Sequence, residues 1–284
     1  MKLLIIQEAG RHEKNKNFRE SLNLSRSLIK LDQETKIWGI GYPEFTTKFS
    51  ELEKWCDVII LVENYNFDWI PFSEIRDSKK LKIFWSIDSH CVLNLHQNIC
   101  RELKINILLN STKTYLKDFE KISDKSIWFP NSYPDDLIRP LNIQKTIDIG
   151  FCGSYRPEIE LLNRFNIKKD IFVIGDDMVN TINSYKIHFN KNISIDINYR
   201  TFETLGCQTF LLTNKSPDLE ELFDIGNEII VYNDYNDLFE KVGYYLSNEK
   251  ERNLIEKNGF NKVKKNHTYL TRSNQLINII NDII

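Results

Sequence analysis

Short apolar runs alternate with amphipathic stretches along most of this chain. Lys2–Ile6, Lys36–Ile40, Val58–Val62, Lys82–Ser86, Ile105–Leu109 and Ile127–Phe129 have the length and bulk of buried strands. Between the first two, Phe18, Leu22, Leu24, Leu28, Ile29 and Leu31 recur at near-helical spacing. Such alternation predicts a parallel sheet with helices on both faces. The pattern breaks at Asn131-Ser-Tyr-Pro-Asp-Asp-Leu-Ile-Arg-Pro140, where two prolines sit among polar neighbours, as in a linker. A second series follows: Asp148–Cys152, Ile171–Ile174, Lys186–Asn190, Thr209–Thr213 and Glu228–Tyr232. Leu238, Val242, Tyr245 and Leu246 share a helical stripe, and Leu270, Leu276, Ile277 and Ile280 predict a closing helix with an apolar face to dock. The expected fold is therefore α/β, with two Rossmann-like domains facing each other across a cleft and a C-terminal helix closing the structure. The expected boundaries are residues 1–132, a linker at 133–146, and residues 147–284.

Composition narrows the field. With 284 residues the chain can bury a substantial core. A net charge of −2 gives no whole-molecule attraction to nucleic acid or anionic membrane. Five scattered cysteines without a Cys-x-x-Cys pair argue against a disulfide scaffold or a zinc ribbon, and fit a reducing, cytoplasmic setting. No apolar run approaches the ~20 residues of a membrane span. The start, Met-Lys-Leu-Leu-Ile-Ile-Gln-Glu, reads as a first strand rather than a secretory leader.

Two segments of the second half combine a strand end, a turn or short helix, and an arginine. Asp148-Ile-Gly-Phe-Cys-Gly-Ser-Tyr-Arg156 ends a strand at Gly153 and Ser154. Gly153 would let backbone N–H groups approach a phosphate and Arg156 would add charge. A tight turn with a solvated arginine is the plainer alternative. In Asn198-Tyr-Arg-Thr-Phe-Glu-Thr-Leu-Gly206, Asn198 caps a short helix that Gly206 stops, with Arg200 and Thr201 in its first turn. A cation there opposes the helix dipole, and a bound anion reverses that penalty. Glu203, one turn on, could accept both hydroxyls of a ribose. An Arg200–Glu203 ion pair, worth only ~0.2–0.5 kcal/mol, is the competing reading, and the residues alone leave both standing.

Lys186-Ile-His-Phe-Asn190, the Asn198–Cys207 block, Phe210-Leu-Leu-Thr213, Asp218-Leu-Glu-Glu-Leu-Phe223, Glu228-Ile-Ile-Val-Tyr232, Asn258-Gly259 and His267-Thr-Tyr with Arg272 occur in an order that resembles the carboxyl-terminal domain of spore-maturation-protein-like glycosyltransferases. These are relatives of glycosyltransferase family four and have the two-Rossmann GT-B fold. The resemblance covers about 125 residues. It implies that Glu203 binds the nucleotide ribose, that Arg200 serves the donor, and that Gly153, Ser154 and Arg156 face its diphosphate. Many relatives carry a sugar-contacting glutamate eight positions before the ribose-binding one. Here that position is Ile195, with Asp196 beside it as a possible substitute, so a retaining outcome does not follow.

In the first half, Glu8-Ala-Gly-Arg-His12 and Trp85-Ser-Ile-Asp88-Ser-His90 both follow strands. His90 and Asp88 are candidate bases for an acceptor hydroxyl, and Gly10 and His12 are acceptor-side candidates. Asp88 and His90, with His96 nearby, could alternatively hold a metal, but the Asp-x-Asp donor motif belongs to a single-sheet architecture. No metal and no cofactor is expected beyond a nucleotide diphosphate sugar as co-substrate. Neither a P-loop nor a full Gly-x-Gly-x-x-Gly is present. The resulting expectation is a hexosyl- or pentosyltransferase acting in glycan or surface-polysaccharide assembly. The alternatives are a phage-type enzyme glycosylating hydroxymethylated DNA bases and an inactive GT-B-fold assembly protein.

Overall fold

The structure, a computed structural model, describes residues 1–154 and 166–283. The chain forms two compact units, residues 1–130 together with 269–284, and residues 131–268. In the first unit six strands, β1 (Lys2–Ile6), β2 (Glu34–Trp38), β3 (Val58–Val62), β4 (Leu81–Ser86), β5 (Ile107–Asn110) and β6 (Lys125–Trp128), make one sheet in the order β2-β1-β3-β4-β5-β6. Every pairing is parallel, with Leu3 opposite Val58 and Ile83 opposite Ile107. Val58–Val62 is buried throughout, which is why it reads as an unbroken apolar run. One face packs Leu4, Ile6, Ile59, Leu61, Phe84 and Leu108 against the covering helices.

The second unit holds β7 (Ile147–Gly153), β8 (Lys168–Ile171), β9 (Tyr185–Phe189), β10 (Phe210–Asn214) and β11 (Ile230–Tyr232), all parallel, in the order β11-β10-β9-β7-β8. Ile149, Phe151, Ile187, Phe189, Phe210 and Leu212 form its core with Leu238 and Tyr245 from the helix Tyr235–Ser247. Both sheets thus reverse strand order beside their first strand, between β1 and β3 and between β7 and β9. Loops leaving the carboxyl ends of strands open a crevice at such a point, and ligands bind there.

Two expectations about the division of the chain are corrected. The closing helix, Tyr269–Asn281, belongs to the first unit rather than the second, where it packs on the helix Glu20–Ile29. Its Arg272 is buried and donates from Nε to the Pro130 carbonyl at 2.6 Å, and burial pushes its pKa down to about 10. The expected linker at 133–146 is also packed structure of the second unit. Tyr133 is 1% exposed and its N–H donates to the His267 carbonyl, while Lys145 reaches Glu256 at 3.0 Å. Prolines interrupt the periodicity there without detaching the segment from a core. Among the described residues no helix is long and apolar enough to cross a membrane.

Candidate functional site

At the switch point of the second unit, β7 ends in Gly153 and Ser154, and β9 leads into the helix Tyr199–Gly206. Gly153 has an ordinary backbone conformation, so no left-handed turn explains it. A Cβ there would press on the tip of the Phe151 ring at 2.9 Å, so a side chain would require that ring to shift. Ser154 is exposed. Arg156 lies outside the described residues.

A buried polar net fixes the segment between β9 and its helix. Asn190, Asn192, Thr201 and Thr213 are each at most 2% exposed. The Asn190 amide lies within 3.2–3.3 Å of Asn192, Asn198, Thr201 and Thr213. Asn198 caps the helix by accepting from the Thr201 N–H, and its own N–H donates to Asn192 Oδ1 at 3.1 Å. Asn131 donates to the Ile197 carbonyl and Ser216 to the Ile195 carbonyl, so the loop carrying buried Asp196 is held from two further sides. The amides of Asn190, Asn192 and Asn198 bond to one another and to the loop backbone, and such a buried net holds a single geometry because any shift strands one of its members.

Arg200 and Glu203 stand on the first two turns of this helix. Arg200 Nη1 meets Glu203 Oε2 at 2.7 Å and also rests on Met178, with the two side chains 19% and 14% exposed. The ion pair weighed from the sequence is therefore formed, but not on an open face. Both charges are largely removed from water, so the pair pays desolvation that a surface pair avoids. Arg200 also acts at the end of β7: its charge opposes ionised-form destabilisation at the buried Cys152 thiol, which burial nevertheless pushes up to about 11. Between them lies His188, fully buried in β9. Its Nε2 accepts from the Cys152 N–H at 3.2 Å and its Nδ1 meets Thr204 Oγ1 at 2.5 Å.

In the first unit the corresponding loops follow β1, β3 and β4. Gly10 has φ +89° and lies against Arg19, whose side chain a Cβ would meet at 3.1 Å. Arg19 is buried, donates to the Glu8 carbonyl and pairs with Glu20 at 3.1 Å. Arg11 and Arg19 both lie over the Tyr65 ring. His12 is exposed and starts a short 3-10 helix without a side-chain cap. Asp88 precedes the helix Ser89–Leu103, which is kinked at Val92. It is exposed over its surface as a whole, yet its carboxyl is raised by desolvation, with His90 pulling the other way.

The group here that carried no sequence signal is Glu63. Its Oε2 accepts from the Ile87 and Asp88 N–H groups at 2.7 Å each, so it shapes the loop that presents Asp88 and His90. Burial, reinforced by the Asp88 charge, pushes its pKa up to about 8. His96 Nε2 lies 3.5 Å away, its own pKa pushed down to about 4 by burial, and its Nδ1 meets Ser86 Oγ at 2.8 Å. A glutamate ending a strand has no motif, and its partners are 24 and 25 residues away in sequence.

Two α/β units, each with polar and charged groups gathered at its switch point, have the architecture of GT-B glycosyltransferases. The family model described as glycosyl transferase-like matches residues 135–278, half of the chain, and the chain belongs to that family: the protein is a glycosyltransferase. No curated protein matches the sequence. Among solved structures it is similar to the sucrose-phosphate synthase of Thermosynechococcus elongatus, at 10% identity and TM-score 0.71, over 99% of this chain and 98% of that one. It is similar to Anabaena HepE in complex with UDP and glucose, at 8% identity and TM-score 0.68 over the whole of both chains. An α-glucosyltransferase in complex with UDP and a 13-mer DNA containing an HMU base matches at 11% identity and TM-score 0.68, over 99% of each chain.

Proposed function

We propose that the protein transfers a hexosyl or pentosyl group from a nucleotide diphosphate sugar to an acceptor hydroxyl, and that it belongs to the spore-maturation-like branch related to family four. The carrying observation is the Arg200–Glu203 pair, set on a side-chain-capped helix at the sheet's switch point in a chain of the glycosyl transferase-like family. In this reading Glu203 accepts from the ribose hydroxyls, and Arg200, with Arg156, holds the diphosphate. Gly153 and Ser154 line the same ligand, and Asn198, Thr201 and Asp196 form the rigid frame around it. As the diphosphate departs, negative charge grows on its oxygens while the sugar becomes oxocarbenium-like. A guanidinium fixed beforehand by Glu203 and Met178 stabilises that charge without reorganising, a role commonly worth several kcal/mol. No metal is assigned to this step. Asp88 and His90 are the acceptor-side groups, with Gly10 and His12 on the neighbouring loop. The five unbridged thiols support work in the cytoplasm.

A glycan acceptor is the first reading. A hydroxymethylated DNA acceptor is the second, favoured by the likeness to the α-glucosyltransferase held with UDP and HMU-containing DNA. One experiment addresses both: incubation with UDP-, GDP-, TDP- and CMP-linked sugars, with sugar acceptors or hydroxymethylated DNA. At least one activated sugar should be consumed and should raise the melting temperature. A folded protein indifferent to all of them would end the donor assignment.

A further inference from the structure

β7 pairs with β9 through Ile147, Ile149 and Gly150, with Gly150 opposite His188, and there the ladder stops. Beyond it the Cys152 N–H meets the side chain of His188, not a β9 carbonyl. A histidine nitrogen that accepts an N–H carries no proton, so Nε2 is the bare nitrogen. The proton of a neutral ring is then on Nδ1, which donates to Thr204 Oγ1 at 2.5 Å. Thr204 in turn donates to the Arg200 carbonyl at 2.6 Å. Every hydrogen in the series has one direction: Cys152 N–H to His188, His188 to Thr204, Thr204 to Arg200. His188 and Thr204 are both fully buried, so neither can exchange its partner for water. A proton added to Nε2 would face the Cys152 N–H and break the series at its first link. The charged and titratable groups around the ring reinforce this. Burial first and Arg200 second oppose a positive charge on the ring, and Tyr185, whose ring centroid is 5.5 Å away, stays protonated because burial raises it.

We propose that His188 is a positioning residue, a permanently neutral Nδ1–H imidazole that ties the end of β7 to the helix bearing Arg200. It thereby sets the spacing between the end of β7 at Gly153 and Ser154 and the guanidinium across the topological switch point. The role rests on the nucleotide-sugar reading, because the spacing matters only if one diphosphate touches both segments. The hydrogen-bond series does not rest on it.

The test therefore has two arms on the full chain. In the first, the five histidines are labelled with nitrogen-15 and followed by long-range proton–nitrogen correlation, with His188→Gln assigning the signal. One ring should show a bare Nε2 and a protonated Nδ1 unchanged from pH 5 to pH 9. A ring at 188 that titrates in that range, or carries its proton on Nε2, overturns the proposal. In the second arm UDP, GDP and TDP are titrated by calorimetry into wild type, His188→Leu, His188→Asn and His188→Gln. Leucine removes both bonds, asparagine can keep the one to Thr204, and glutamine can keep the one to Cys152. Loss of one buried bond corresponds to about a tenfold change. We expect nucleotide affinity to fall at least about tenfold in His188→Leu, and by less in the two amide variants. Should His188→Leu fail to fold, Thr204→Val against Thr204→Ser makes the same comparison, the serine restoring affinity. A folded His188→Leu or Thr204→Val that binds within about twofold of wild type refutes the positioning role alone. Wild type that binds none of the three nucleotides ends the role together with the donor reading, while the first arm still reports on the series itself.

Discussion

Glu63 makes the stability of the first unit depend on pH in a direction that a surface carboxylate would not. Its pKa rises from an ordinary 4.5 to about 8 because burial disfavours the anion. At 1.36 kcal/mol per pH unit the gap sets a ceiling of about 5 kcal/mol. That value already includes the two N–H donors at 2.7 Å; the side chain is 15% exposed, and water at that edge lowers the desolvation cost, so about 2–3 kcal/mol is the working figure. The folded state keeps a proton that the unfolded chain has released. That stability is fully present below about pH 4.5 and disappears as pH rises through about 8. If the proton crosses to His96 Nε2, 3.5 Å away, the pair still holds one proton and the sign is unchanged. Glu63→Gln keeps an acceptor oxygen for Ile87 and Asp88 but cannot ionise. Urea unfolding followed by tryptophan fluorescence reads this unit selectively, since Trp38, Trp55, Trp69, Trp85 and Trp128 all lie within residues 1–130. Wild type and variant should be close at pH 5, with the variant more stable by about 2–3 kcal/mol at pH 9. Parallel pH curves, or a wild type that gains on the variant as pH rises, would refute the assignment of a proton to this carboxyl.

Three further outcomes are expected. Arg200→Ala should lower turnover at least about tenfold, because a preorganised cation acts on the leaving diphosphate, while Glu203→Gln should weaken nucleotide binding in a calorimetric titration. Asn198→Ala removes the cap of the helix Tyr199–Gly206 and one corner of the buried net, and should destabilise the second unit by about 1–2 kcal/mol in chemical denaturation. Turnover should persist in a chelator such as EDTA. Its abolition, with recovery on adding a divalent ion, would move charge stabilisation from the arginines to a metal.

Much of the architecture was legible because parallel strands buried on both faces appear as apolar runs. β1 and β3 begin and end at the expected residues. β8 was misplaced for a physical reason. The apolar Ile171-Phe-Val-Ile174 suggests a strand, but the chain enters a left-handed turn at Phe172, and the strand is the more polar Lys168–Ile171 at the sheet edge. In the long helix Glu249–Asn266 only the basic run Lys262–Lys265 reads as a solvated helix face, because the helix buries just a narrow stripe, including Ile255, Gly259 and Val263, in an otherwise charged segment. The closing helix showed an apolar face, but no pattern in its sequence says which sheet receives it. In the site, the helix cap and the Arg200–Glu203 spacing were readable because helix geometry is local. Glu63 and His188 were not singled out. Each draws its role from partners at least 16 residues away, and a lone glutamate or a histidine within a strand carries no spacing that points to them.

The central claim is that the second unit holds a nucleoside diphosphate on Arg200 and Glu203. Calorimetric titration of UDP, GDP and TDP into wild type and Arg200→Ala tests it most directly. At least one nucleotide should bind wild type with one-to-one stoichiometry, at least about tenfold more tightly than the variant. Equal affinity in the two proteins, or no heat from any nucleotide with a folded wild type, would contradict it.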